Sequence, residues 1–480
     1  MNIFFGYFDL GLRAMNAARL GMQVAGDNIS NANTPGYVRR RLELQPGFPV
    51  QVQGGQLDSG VEVARIARME DRFLQANLER EQGSLGESGE RLRGLMDLEA
   101  IYGNLDGSGL ASSLSAFSSA FNQLAGQPEG TAQRRAAVSA ADDLARMLRA
   151  TYQRVQQQGS SEDQAISVTV EKVNNLAGQL ASLNEQIHAT EIDGSIAAPL
   201  RDRRSQVLEQ LVELTGGTVV NSPNGKVGFS LPGGPTLVTA DTASSNPIKL
   251  MGVRNAQGLL QVQAGGRPTD VTASLRGGRL GAMLYLRDDA VRTQLADLDA
   301  LASDLAARVN ALTTSGVDGS GNPTGPYDLR GNPGGPVFVS TNPAQPITAA
   351  TISVASALLS DPSLLAVSST GATGDGTVAA SIAAWKDVAS AALGGKTPAV
   401  FLADRLSSLG NDIARADVAN TVSNDLVDGL VNRREQVSGV SLDEEAAELL
   451  KNQQSFQAAA HFLTVVNQLT QTAIDMFRTA

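Results

Sequence analysis

The feature that most limits how this chain can fold lies at its C-terminal end. Leu442, Ala446, Leu449, Gln453, Phe456, Ala460, Leu463, Asn467, Thr470 and Ile474 follow one another at alternating spacings of four and three. That alternation marks one face of a single long helix. Phe462, Val466, Leu469, Ala473 and Met476 form a second stripe beside it. The helix starts at SGVSLDEEAAELL, where Ser441 is an N-cap with Glu444 three residues on, a capping box. Asp443, Glu444 and Glu445 then sit on the positive end of the helix dipole. At 1.5 Å per residue the helix is roughly 55 Å long. One apolar stripe needs one neighbour, and two adjacent stripes need several.

The N-terminal end has the matching pattern. Leu10, Ala14, Ala17, Gly21 and Val24 form one helical stripe, and Met15, Ala18, Met22, Ala25 and Ile29 form another beside it. Gly11, Gly21 and Gly26 each cost about 1 kcal/mol relative to alanine, so this helix is marginal alone. Its small residues permit close approach by other helices. The helix stops at DNISNANTPGY, residues 27 to 37. Asn28, Asn31 and Asn33 can each take the left-handed conformation that closes a helix. Pro35 forbids helix at Thr34, and Gly36 can take the positive φ of a type II turn before Tyr37. Val38, Arg40, Leu42 and Leu44 then alternate with Tyr37, Arg39, Arg41 and Glu43, as in a strand. The two ends are expected to pair with each other and then with copies of themselves.

Composition narrows the function. A net charge of −11 argues against a general nucleic-acid binder, which needs a concentrated basic face. Arg39-Arg40-Arg41 would be split between two faces of a strand and reads as local salt bridges. The chain has no cysteine, which excludes disulfides, thiolate nucleophiles and cysteine metal sites together. His188 and His461 lie far apart in sequence and read as ordinary helix positions. No stretch approaches the ~20 apolar residues of a membrane span. NIFFGYF lacks a basic segment before it and is too short for a secretory signal.

Between the two ends the texture changes several times. Residues 38 to 66 read as a small β element, and helical patterns dominate from Met69 to about Leu214. Leu110, Leu114, Phe117, Phe121 and Leu124 form one stripe. Ile166, Val170, Val173, Ala177, Leu180 and Ile187 form a longer one. TVVNSPNGKVGFSLPGGPTLV is punctuated by Pro-Asn-Gly and Pro-Gly-Gly, a hairpin signature. Helix resumes from Leu284 to Leu312, a Gly/Pro/Ser/Thr-rich block runs from Ser315 to about Lys396, and the rest is helical in two pieces.

AGDNISNANTPGYVRR at 25 to 40 resembles the signature of the bacterial flagellar axial proteins, the rod, hook and hook-associated families. VSGVSLDEEAAELLKNQQSFQAAAHFLTVVNQL at 437 to 469 resembles the matching end of that group, most closely the hook-associated family of the hook–filament junction. LASLNEQI, PLRDRRSQVLEQL and LGAMLYLRDD are similar to its mid-chain helices. The resemblance covers about half of the chain, and the aromatic start at 1 to 8 departs from it.

The resemblance implies a mainly α chain with β-rich insertions. Residues 1–35 and 441–480 would form a terminal coiled coil, and 36–215, 280–314 and 397–440 a helical bundle. Residues 216–279 would be an outer β-rich insertion, with 315–396 an irregular insertion whose place in that outer domain is left open. Leu10, Ala14, Ala17, Gly21, Val24, Leu442, Ala446, Leu449, Phe456, Ala460 and Leu463 would form the assembly seam. Asn28, Asn31, Asn33, Thr34, Pro35, Gly36 and Tyr37 would turn the chain out of the tube wall. Implied partners are copies of the chain, the hook protein, a second junction protein or the filament, the flagellar export apparatus and a cytoplasmic export chaperone. The protein would be secreted and extracellular, with no nucleic-acid partner, cofactor or metal.

Catalytic motifs are weak. LGGKT at 393 to 397 is half a phosphate loop, with Ser390 where the first glycine belongs, and it follows the helical-looking SIAAWKDVASAAL. VDGSGNPTG spaces Asp318, Ser320 and Asn322 like a calcium loop but has Pro323 at the glycine position and Leu329 at that of the bidentate glutamate. The competing readings are another axial protein (hook or distal rod), or an enzyme or adhesive module on the outer domains. Extended helix between 69 and 214 separates the junction family from hook and rod proteins, which should be β-rich there.

Overall fold

The structure is a computed structural model. It describes residues 2–52, 55–57, 60–102, 109–192, 194–240, 247–255, 259–265, 269–320 and 323–478. Helix α1 (Asn2–Asn31) leads through the turn into strand β1 (Arg40–Pro46), which pairs antiparallel with β4 (Val61–Arg68). The short β2 (Val50–Val52) and β3 (Gly55–Leu57) pair beyond it. The regular elements of the next stretch are all helices: α2 (Arg72–Tyr102), α3 (Leu110–Gly126), α4 (Thr131–Thr190) and α5 (Ala198–Thr215). This is the helical alternative that the sequence posed between 69 and 214.

The predicted hairpin block forms a three-stranded meander of β5 (Thr218–Asn221), β6 (Val227–Ser230) and β7 (Thr236–Val238). A second small sheet follows, made of β8 (Leu250–Arg254), β9 (Leu260–Ala264) and β10 (Thr269–Asp270). Then α6 (Gly278–Tyr285) runs through one wide π-type turn (Leu286–Val291) into α7 (Arg292–Thr313). The glycine-rich block contains β11 (Phe338–Ser340), β12 (Ile352–Val354), α8 (Ser356–Ser360) and α9 (Thr377–Ala383). Two long helices finish the chain, α10 (Pro398–Ser438) and α11 (Leu442–Arg478).

Two hydrophobic cores are strung along the 60-residue α4. Its N-terminal half packs Leu144 and Leu148 against Phe117 and Phe121 of α3, Leu301 and Leu305 of α7, and Phe338, Ile352 and Ile382. Residues 315–396 therefore bury their apolar side chains in this first core. They share no core with 216–279, because the aromatic and β-branched residues of the two blocks meet opposite halves of α4. Trp385 is buried against Phe117 edge to face and donates to Asp304 Oδ2 at 2.8 Å. That anchor interrupts SIAAWKDVASAAL, in which only the first three residues, the end of α9, are α-helical before the chain tightens into a 3₁₀ turn. LGGKT is a connector: Gly394 and Gly395 have φ of 66° and 79°, and Thr397 caps α10 by accepting from Val400 N at 3.2 Å.

The second core joins Ile166, Val173 and Leu180 of α4 to Leu208 and Leu211 of α5, to Phe229 and Val262 from the two sheets, and to Leu280. Two asparagines on α4 hold the two sheets, one at the edge strand β8 and one at Val227, the first residue of the central strand β6. Asn174 donates to Leu250 O and accepts from Leu250 N, both at 2.7 Å. Asn184 does the same with Val227, at 2.8 and 3.2 Å. Each side-chain amide replaces one missing ladder partner, so the small sheets need no further strand there. In the calcium-like segment Asp318 Oδ1 accepts from Ser320 N at 2.8 Å, an ordinary Asx turn, while Asn322 lies outside the described residues.

Candidate assembly site

The two ends of the chain meet. Among the described elements α11 packs chiefly on α1, which is sandwiched between α11 and the β1–β4 hairpin. The small residues of α1 set how close the helices come. A Cβ added at Gly11 would lie 2.6 Å from Leu463 Cδ2, and one at Gly21 would lie 2.5 Å from Asn452 Oδ1. Neither glycine can be enlarged without displacing the Leu463 or Asn452 side chain of α11. On the side of the hairpin Leu10 lies over Gly60, just before β4.

The expected seam residues divide between two environments. On α1, Ala17, Gly21 and Val24 are buried, and Leu10 and Ala14 are half-buried. On α11, Leu449, Phe456, Ala460 and Leu463 are half-buried, whereas Leu442 and Ala446 are exposed. The in-chain seam is instead a neighbouring four-three series: Glu445, Leu449, Asn452, Phe456, Ala459, Leu463, Val466 and Thr470. It shares every second member with the series read from the sequence. Glu445 and Asn452 disguised it, because a buried glutamate does not register as an apolar position.

The turn motif explains that glutamate. Asn28 is fully buried and uses all four hydrogen-bonding sites of its amide. Nδ2 donates to Arg40 O and to Glu445 Oε2, each at 2.9 Å. Oδ1 accepts from the Tyr37 hydroxyl at 2.8 Å and from Arg40 N at 3.0 Å. Burial raises the pKa of Tyr37, keeping its proton available for that bond. The Glu445 carboxylate is 3% exposed and also accepts from Arg39 Nε at 2.7 Å. Arg39 reaches Glu444 at 2.7 Å as well, so the Glu444 carboxylate is drawn to Arg39. Ser441 Oγ still accepts from Glu444 N at 3.5 Å, leaving a weak N-cap.

The local geometry of the turn follows its residues, with one correction. Tyr37 N donates to Thr34 O at 3.1 Å and Gly36 has φ of 75°, as a type II turn requires. Among the described residues no non-glycine has positive φ, so Asn28, Asn31 and Asn33 are not left-handed closers. The helix runs to Asn31, and the asparagine side chains act elsewhere. Asn28 is the hub just described, Asn31 Nδ2 donates to Asp27 O at 2.9 Å, and Asn33 is exposed with Thr34, Pro35 and Gly36.

The corner is fastened to the bundle on its other side. Pro35 O accepts from Gln206 Nε2 at 2.6 Å, and Arg39 N donates to Ser438 O at 2.9 Å. Asp202 takes Arg68 at 2.9 Å and Arg40 at 3.5 Å. The Arg39-Arg40-Arg41 run thus spends its first two members on carboxylates from α11 and α5. Beside the turn lies a mixed-charge groove of about 1050 Å³, bordered by α2, α5, the β5–β6 connection and the α10–α11 junction. In its wall burial pushes the Glu79 carboxyl up to about 7, and the nearby Glu209 charge adds to the rise. No described helix is long and apolar enough to cross a membrane.

A two-helix terminal rod, a sharp corner and a long-helix body define a subunit of the flagellar axial type. Residues 95–338 match the flagellar hook-associated protein FlgK helical domain, a little over half of the chain. Residues 8–37 match the flagella basal body rod protein family, and 434–476 the C-terminal domain of the basal body rod FlgEFG proteins. These two terminal segments hold Asn28 and Glu445. Flagellar hook-associated protein 1 of Bacillus subtilis is 26% identical over 96% of this chain and 96% of its own length. That of Salmonella typhimurium is 28% identical over 65% of this chain and 57% of its own. A solved structure of the flagellar hook junction protein FlgK from Burkholderia pseudomallei shares the fold, with a TM-score of 0.64, 17% identity, and coverage of 75% of this chain and 100% of that one. The chain belongs to the FlgK family of flagellar hook-associated proteins and is a structural component of the bacterial flagellum.

Proposed function

We propose that copies of this chain assemble at the hook tip into the hook–filament junction, with α1 and α11 of each copy forming the inner, tube-lining layer. The observation that carries this reading is the surface of α11. Its in-chain seam uses one stripe, while Leu442, Leu450, Phe462, Val465, Leu469 and Ile474 remain exposed. A surface helix with a single neighbour would not keep so many large apolar residues in water, whereas copies packed side by side bury them. Half-exposed side chains of this size contribute about 1 kcal/mol each on burial. The seam residues Leu442 and Ala446 belong to this outer surface, Leu10 to the contact with the hairpin, and the remaining seam positions to the pairing of α1 with α11.

Partners in this reading are the hook protein on one side and a second junction protein or the filament on the other. The chain leaves the cell unfolded through the flagellar export apparatus, escorted in the cytoplasm by a chaperone, and works outside the cell. Its role is mechanical and not catalytic. The coiled-coil pair 1–35 and 441–480 bears on the tube, and the bundle and the insertions 216–279 and 315–396 lie around it. Labelled antibody on isolated flagella should decorate the hook–filament boundary. Replacing Leu450 and Leu469 by Asp should leave the soluble chain folded and abolish filament attachment. Decoration along the hook or rod, or normal filaments with the double variant, would overturn the reading.

A further inference from the structure

The two cores meet at a layer unlike either of them. Along α4 the last large apolar residue of the first core is Val155 and the first of the second core is Ile166. Between them only Glu162 and Asp163 are buried. On α6–α7 the boundary falls between Leu284 and Leu286, where the π-type turn begins. On α2 the buried face from Gly83 to Gly94 consists of glycine, Ser88 and Glu90. All three helices are at the same level: a Cβ on Gly94 would lie 2.1 Å from Leu286 Cδ1, and one on Gly159 would lie 3.1 Å from Val291 Cγ1.

Charged pairs fill the layer. Glu90 takes Arg93 and, at 3.0 Å, Arg279. Glu162 takes Gln158 at 2.9 Å and Arg93 at 3.4 Å. Asp163 takes Arg287 at 2.8 Å and Arg254 at 3.2 Å. Where α10 passes α2 at this level, a cavity of about 340 Å³ opens between Ser88, Arg91 and Tyr285 on one side and Asp412 and Ala419 on the other.

We propose that this layer is a bending joint, across which the first core tilts as a body relative to the second. Each core is close-packed and resists shear. The layer between them is spanned by long arginine side chains, which can follow a tilt while keeping their carboxylate partners. It also has a void into which α10 can move. A π turn and helical glycine are the local features at which helices bend, and here they coincide with the break in apolar packing between the two cores. The second core carries the corner, through Asp202 and Gln206 of α5, so the joint separates the terminal helices from the body holding 315–396. Taken with the junction role above, on which this last step rests, copies meeting different neighbours can then share one inner layer while their outer bodies tilt.

The absence of cysteine allows site-specific spin labelling of the full chain. Labels at Ser360→Cys and Val253→Cys report across the layer, and labels at Ser360→Cys and Arg135→Cys, both exposed positions on elements of the first core, calibrate label motion. Pulsed electron resonance on the soluble monomer should give a distance distribution at least twice as wide across the layer as within the core. Deleting Asp289, the exposed residue of the π turn, should bring the cross-layer width close to the control. Gly159→Ala, a milder stiffening of α4, should narrow it by a smaller factor. A cross-layer width no greater than the control in the unmodified sequence overturns the joint, and it does so whatever the variants do to folding. Because the monomer is measured, a rigid result leaves the junction role standing, and a failed localisation leaves the joint standing.

Discussion

Asn28→Ala should undock the C-terminal helix without unfolding either core. The substitution removes four hydrogen bonds that converge from α1, the turn, β1 and α11. It strands Arg40 N, Arg40 O and one oxygen of the nearly buried Glu445. Each stranded buried polar group costs about 1–3 kcal/mol, and water entering the vacated volume recovers part of that. A net loss of about 3–5 kcal/mol follows, close to the full stability available to a helix with one neighbour. Since 1.4 kcal/mol is a factor of ten, local opening should rise by about two to three and a half powers of ten. The assay is amide hydrogen exchange resolved by peptide. Peptides of α11 between 446 and 463 should lose protection by about that factor, and those of α3 and α9 should not change. Asn28→Asp should be worse than alanine, because it sets a second carboxylate against Glu445 and removes both donors. Unchanged exchange in α11 for either variant would refute the hub.

Further expectations concern the corner and its surroundings. Pro35-Gly36→Ala-Ala forces a Cβ into a backbone with φ of 75° and to within 2.3 Å of Gln206 Nε2, costing about 1–3 kcal/mol; secretion should persist while filament attachment fails, as a motility and shed-filament count would show. Glu79 is raised from 4.5 to about 7, so the folded state favours its protonated form, and stability should fall as pH rises from about 4.5 to about 7. The full displacement corresponds to about 3 kcal/mol, which partial exposure reduces to about 1–2. Glu79→Gln should therefore raise the urea midpoint at pH 8 and leave it nearly unchanged at pH 4; an equal shift at both would remove the burial argument. Phe456→Ala should lower the monomer's main thermal transition by little, because Phe456 is half-buried against one helix, yet abolish incorporation at the hook tip. A large fall in that transition would place this face in a core.

What the sequence made legible was periodic or punctuated. The Ile166–Ile187 stripe, the Pro-Asn-Gly and Pro-Gly-Gly turns and the Thr-Pro-Gly-Tyr corner each act through neighbours a few residues away, and each appears where expected. Long-range pairings were not legible. The hub joins Asn28 to a residue 417 positions on, and its members are polar, so hydrophobic patterning passes over them. Asn28 read as a helix closer because helix-closing asparagine is a local role, whereas its actual role depends on α11. Residues 315–396 looked loose because short segments pinned by side chains have no period. Trp385 on Asp304, and the buried Arg134 donating to Leu365 O at 2.6 Å, fix that block although its strands and helices are short.

The rotation of α11 is where the hub and the assembly surface become one problem. In the first turns of this helix the apolar choice for an inward face is Leu442, Ala446 and Leu450, yet the inward positions are Glu445, Leu449 and Asn452. Hydrophobic burial alone would turn the helix the other way. The buried Glu445 side chain, held by Asn28 and Arg39, prevents it, since a polar group is tolerable in a nearly dry site only with its hydrogen-bond partners in place. One polar contact thus fixes which stripe faces α1 and leaves the more apolar one outward, where a neighbouring copy can cover it. Glu445→Ser should release this constraint. The hold on Asn28 and Arg39 would be lost without adding an apolar side chain to the present inward stripe, so the monomer would remain folded while the helix turns Leu442 and Leu450 inward, and both would become protected in the soluble chain, with loss of assembly. A Cys label at Leu450 should report this as slower modification by a water-soluble maleimide. If its reactivity stays the same as in the otherwise unmodified chain, the rotation of α11 is set by packing against Gly11 and Gly21 and not by the buried carboxylate.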